Sequence, residues 1–170
     1  MILNVLRRKN PYLCVVIIRS LKISSVLVNE LDSGSEADVP ELKLDSQTSI
    51  YGDRNIAQYM INSQSTHQFL SSHSSTPLHV AEVDQYLSAF ENFSEVESAK
   101  LVSLANHLDS RLQYRTYVIG RSMTLADVAM WLLMRRIYDP SISSLKYPEL
   151  SRWFLHIGAL SGIEPHIDVE

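Results

Sequence analysis

The sequence predicts an α+β chain of two lobes, a mixed β-α-β-β-α half followed by an all-α half. Three observations predict it. Residues 1–62 hold short apolar and β-branched runs broken by polar loops. Residues 63–77 are dense in Ser and Thr with little to pack, as a linker would be. Every apolar cluster within residues 78–170 recurs at helical spacing.

The elements of the first half follow in order. Residues 2–6 form a short apolar run that stops at the basic cluster Arg7, Arg8, Lys9, as a buried strand does. Asn10 then Pro11 reads as a helix cap followed by proline at the first helical position. The run 12–21 is rich in Val and Ile, but the cap and its length favour a helix. Residues 23–31 alternate Val26 and Val28 against Leu27 and Asn29 and read as a strand. After the polar loop 32–38, residues 39–51 give a proline-initiated strand, a turn around residues 45–47 and a second strand. Ile56, Tyr59 and Met60 then mark a helix over 53–61, with Asp53 as its N-cap.

In the second half Val83, Tyr86, Leu87 and Phe90 share one helical face. Leu101, Leu104, Ala105, Leu108 and Leu112 repeat the pattern, and Leu150, Trp153, Phe154, Ile157 and Leu160 make a last stripe after Pro148. Residues 125–137 are apolar almost all round, which suits a helix in the centre of a bundle. Its start is strongly marked. Thr124 is a good N-cap, Asp127 can reach back to the cap's N–H, and Met123 with Val128 can form a hydrophobic staple. A buried helix end costs about 1–3 kcal/mol per unsatisfied group, so a structural cap at Thr124 and Asp127 outweighs a catalytic aspartate.

Composition narrows the function classes. The 170 residues carry a net charge of −4, without the basic excess of an autonomous nucleic-acid binder. Cys14 is the single cysteine, so there is no internal disulfide framework and a reducing, cytoplasmic setting is expected. The apolar run 12–18 is too short to span a bilayer, and the basic cluster follows residues 1–6 in the reverse of a signal peptide's order. The six histidines show no paired ligand spacing and the five glycines no phosphate-cradling loop, so neither a metal nor a cofactor is expected.

The run from Arg115 through Gly120 and the helix start Thr124-Leu125-Ala126-Asp127 to Trp131, with Pro40 after Val39, resembles a glutathione transferase fold. The resemblance implies a thioredoxin-like first lobe, with Pro40 as a candidate cis-proline, and an all-α second lobe. Residues 115–131 are most similar to the N-terminal domain appended to glutamyl- and glutamyl-prolyl-tRNA synthetases. The helix after Asn10-Pro11 resembles the first helix of that domain, and residues 151–157 resemble the last helix of auxiliary proteins of the multi-synthetase complex. In that family the domain is an adaptor. It does no chemistry and pairs with other glutathione-transferase-like domains of synthetases and scaffold factors, touching tRNA only indirectly.

The same resemblance implies where a transferase would need its groups. The thiol-activating Tyr, Ser or Cys falls at Asn10, which cannot ionise, while Tyr12 sits inside the first turn. The side chains that hold the ligand's γ-glutamyl group fall at Gly52 and Asp53, one without a side chain and one that repels a carboxylate. Cys14, in an apolar run, reads as a small buried hydrophobe. No catalytic residue is therefore expected. The family's two pairing surfaces map to Arg54, Gln58, Tyr86 and Phe90, and to Arg152 on the last helix. Periodicity also fits Tyr86 and Phe90 to the core, and Arg152 equally suits a local salt bridge. The alternatives are a glutathione-dependent transferase and an accessory protein that assists tRNA binding; the basic clusters Arg7, Arg8, Lys9 and Arg135, Arg136 could add a phosphate contact, but read better as solvated faces.

Overall fold

A computed structural model describes residues 1–6, 13–31, 39–63, 76–93, 98–137 and 145–161. The chain divides into two compact units, Met1–His67 and Gln68–Glu170.

The first unit runs β1 (Ile2–Leu6), α1 (Leu13–Ser20), β2 (Leu27–Leu31), β3 (Glu41–Lys43), β4 (Ser49–Tyr51) and α2 (Asp53–Ser63). The sheet order is β2-β1-β3-β4, with β1 and β2 parallel and the other two pairings antiparallel. Alternation places Leu3, Val5 and Leu42 on one face, and all three are buried. Residues 13–18 of α1 are buried throughout, as are Ile56, Ala57, Met60 and Ile61 of α2. The opposite face is a polar ladder. Asn29 Nδ2 donates to Asn4 Oδ1 (3.4 Å), Asn4 Nδ2 to Glu41 Oε2 (3.2 Å), and Tyr51 Oη to Glu41 Oε1 (3.1 Å). In the hairpin turn the Asp45 carboxylate accepts from the N–H groups of Gln47 and Thr48, both at 2.8 Å.

The predicted strand over 23–31 starts only at Leu27. Residues before it close α1 in a Schellman motif. The Ile23 N–H donates to Ile18 O (3.0 Å) and the Lys22 N–H to Arg19 O (3.1 Å), with Lys22 at φ +50°. Ile23 and Ile18, the C″ and C3 positions of this motif, are both buried. The β-branched run was thus split between a helix exit and a strand. Without glycine at the left-handed position, the exit left no signal.

Two further boundaries differ. The helix predicted over 53–61 extends through Ser63, which takes Ser63 out of the connecting segment. Residues 7–12, including Asn10, Pro11 and Tyr12, and residues 32–38 and 64–75 lie outside the described residues. The predicted cap at Asn10 and most of the predicted linker therefore fall there.

The second unit contains α3 (Pro77–Phe93), α4 (Ser98–Leu112), α5 (Leu125–Met134) and α6 (Pro148–Ser161). All ten residues of α5 are buried, so the helix apolar on every side is indeed the one enclosed by others. It touches α3, α4 and α6. It ends at Met134 rather than at Ile137, because the next N–H groups tighten onto nearer carbonyls, Arg136 to Leu133 O and Ile137 to Met134 O. Trp131, Trp153 and Phe154 have no exposed surface, and the rings of Trp131 and Phe154 stack at 5.1 Å. Leu160, expected in the core stripe of α6, is instead exposed.

Candidate functional site

In the first unit the residues of interest meet where α2 begins. Gly52 has φ +92°, a region L side chains rarely adopt. Its N–H donates to Pro40 O and its carbonyl accepts from the Ile56 N–H, both at 3.0 Å. That carbonyl takes the first bond of α2, so Gly52 is the N-cap and Asp53 the first helical residue. This corrects the expectation that Asp53 caps its own helix.

Asp53 caps the neighbouring helix instead. Its Oδ2 accepts from the Leu13 N–H at 2.8 Å and its Oδ1 from the Cys14 N–H at 2.7 Å. Two N–H donors in the first described turn of α1 are satisfied from about forty residues away, by a charge the helix dipole favours. Cys14 is fully buried. Burial pushes its thiol up, and Asp53 pushes it further, by its charge and by accepting the thiol's hydrogen bond. The thiol stays protonated at neutral pH and is no nucleophile. Arg54 and Gln58 are half-buried on α2.

In the second unit Asp127 is a fully buried junction. Its Oδ1 accepts from the Val118 N–H (2.8 Å) and from Trp153 Nε1 (3.0 Å). Its Oδ2 accepts from the Thr124 N–H (2.9 Å) and Thr124 Oγ1 (3.0 Å). The capping arrangement at the start of α5 therefore also ties down the preceding loop and α6. Burial pushes the carboxyl above its ordinary range, and the donors from Val118, Thr124 and Trp153 pull the other way. With every carboxylate oxygen engaged inside the bundle, Asp127 is in no position to meet a substrate.

The candidate interface residues divide. Tyr86 is buried, its ring under the Arg111 guanidinium at 5.6 Å and its hydroxyl 3.5 Å from His107 Nε2. Phe90 is half-buried. Arg152 is exposed on α6 but tethered. Its Nε donates to Glu149 Oε2 (2.9 Å) and its Nη2 to the carbonyls of Leu112, which ends α4, and of Arg115 in the loop after it (3.0 Å each). Beyond it on the same helix face lie Leu155, 53% exposed, and the exposed Ala159. Asp109 completes the site from α4, accepting from the N–H groups of Glu149 (3.0 Å) and Leu150 (2.9 Å). Sequence reading missed Asp109, because a residue that caps a helix forty positions away leaves no local pattern.

Residues 91–160 match the family described as "Glutathione S-transferase, C-terminal domain". This part of the chain is similar to that C-terminal domain. The chain carrying it is 29% identical over 143 residues to human eukaryotic translation elongation factor 1 epsilon-1, covering 82% of this chain and 80% of that one. It is 26% identical over 150 residues to the cytoplasmic glutamate–tRNA ligase of Arabidopsis thaliana, covering 86% of this chain but only 20% of the ligase. The resemblance read from residues 115–131 thus extends along most of the chain. Among solved structures, a glutathione S-transferase-like protein from Lodderomyces elongisporus superposes with TM-score 0.74 at 18% identity, covering 93% of this chain and 90% of that one. A yeast chain from two binary sub-complexes that explain aminoacyl-tRNA synthetase complex formation gives 0.61 at 17%, covering 95% and 89%. At these identities the two structures establish the fold, a two-lobe glutathione transferase architecture.

Proposed function

We propose that this chain is a non-catalytic adaptor that joins a translation-related complex by pairing with glutathione-transferase-like domains of synthetases or scaffold factors. Residues 1–62 would be the thioredoxin-like lobe and residues 78–170 the helical lobe, joined by residues 63–77, working in the cytoplasm and touching tRNA only indirectly. The likeness to elongation factor 1 epsilon-1 along four-fifths of both chains supports this class of role. The likeness to a segment of a glutamate–tRNA ligase supports attachment to, or kinship with, a synthetase.

One observation carries the non-catalytic part. At the position where the fold would hold a ligand's amino-acid end, Gly52 has no side chain, and the Asp53 carboxylate is spent on the N–H groups of Leu13 and Cys14. An anionic ligand arriving there meets a negative charge rather than donors. Arg54 and Gln58 on α2 are the proposed pairing residues of the first unit and Phe90 on α3 that of the second, while Tyr86 is buried and serves the core. Arg152 on α6 forms the second, its planar fork suited to a partner's carboxylate.

The test is calorimetric titration of this chain with the protein partnered to the yeast chain in its binary sub-complex. A saturable 1:1 complex is expected. Absence of both heat and co-elution in gel filtration would overturn the pairing.

A further inference from the structure

Glu149 and Arg152 stand one turn apart at the start of α6, with Arg152 Nε 2.9 Å from Glu149 Oε2. The guanidinium is held beside that pair by Nη2, which donates to the carbonyls of Leu112 and Arg115. A guanidinium anchored in this way keeps its place whichever carboxylate it meets on the Nε side. Both side chains reach solvent, 48% for Arg152 and 33% for Glu149. The next turns of the same face offer Leu155 and Ala159, apolar and uncovered. An anchored cation beside an apolar strip is complementary to an amphipathic helix that presents one carboxylate.

We propose that Glu149 is a built-in competitor at this surface: it occupies the side of Arg152 that an acidic residue on a partner's helix would take, and so limits the affinity of α6 for that partner. This rests on the reading of Arg152 as a partner contact. Being tethered three residues away, Glu149 faces the guanidinium at a high effective concentration. Its negative charge also repels the incoming carboxylate at close range. Docking requires the partner's carboxylate to displace it while the Leu155 strip supplies the remaining contact.

The probe is again the protein partnered to the yeast chain, titrated against wild type, Glu149→Gln, Glu149→Ala, Arg152→Ala and the Glu149→Gln/Arg152→Ala double variant. An exposed ion pair of this kind is worth a few tenths to about 1 kcal/mol, so Glu149→Gln should bind about two- to fivefold more tightly at low salt. The gain should fade near about 1 M salt, where the Debye length falls to about 3 Å. It should vanish in the Arg152→Ala background, and Glu149→Ala should reproduce it. If Arg152→Ala binds like wild type, the surface reading fails and this inference with it. If Arg152→Ala weakens binding but neither Glu149 variant strengthens it, the surface stands and the competitor is refuted.

Discussion

Asp127 and Asp53 each stand in the first turn of a helix, yet they do different work. Asp127 serves its own helix, accepting from the Thr124 N–H and hydroxyl, and then collects Val118 and Trp153 as well. Asp53 leaves the capping of α2 to Gly52 and closes α1 instead. The first arrangement is spelled by residues three apart, so it was legible from the order of amino acids. The second exists only once α1 and α2 lie side by side.

That contrast recurs through the molecule. Asp109 of α4 closes the start of α6, Arg152 of α6 closes the end of α4, and Arg136 reaches Phe93 O at the end of α3 (3.0 Å). Carboxylates sit at helix starts and guanidiniums at helix ends, as the macrodipole favours. Charged side chains are used here to finish helices.

The largest effect expected from breaking this pattern is at Asp127. In Asp127→Asn one carboxylate oxygen becomes an NH2 group facing two donors, either the Val118 and Trp153 pair or the Thr124 pair. We expect a loss of about 3 kcal/mol, given the cost of buried unsatisfied donors. Denaturation followed by tryptophan fluorescence checks it, since both tryptophans, Trp131 and Trp153, lie buried in this unit. A loss under about 1 kcal/mol would mean that the four hydrogen bonds are not what holds the loop, α5 and α6 together.

Asp53→Ala should cost less, about 1–2 kcal/mol, the ordinary worth of a cap. It should also show locally, with Cys14 reacting faster with a disulfide reagent as α1 loosens. In the folded wild type, burial and the adjacent carboxylate keep that thiol protonated and slow. Equal reaction rates for the two proteins would show that Asp53 does not hold α1.

The smallest effect has the opposite sign. Lys22 occupies the left-handed position of the Schellman motif at φ +50°, where glycine carries no Cβ penalty. Lys22→Gly should stabilise by about 0.5–1 kcal/mol, less the extra entropy of its unfolded chain. A destabilised variant by urea melting would contradict the assignment of that exit.

These cases say what the sequence could carry. The order of elements, the wholly apolar α5 and its cap at Thr124 all follow from near neighbours and were readable. The late start of β2, the reassignment of Asp53 and the role of Asp109 depend on partners far along the chain. Periodicity assigned Leu160 to the core because it falls near the apolar stripe of α6, but the helix leaves that edge uncovered. The family resemblance in residues 115–131 needed no geometry at all.

The central proposal is that Asp53, which accepts from the Leu13 and Cys14 N–H groups at the start of α1, serves structure rather than chemistry. Glutathione titration tests it most directly, by thermal shift and by conjugation to an electrophilic chromogenic substrate in the same samples. The account predicts no shift in melting temperature at millimolar glutathione and no turnover above the uncatalysed rate. A clear shift with measurable conjugation would contradict it and restore an enzyme.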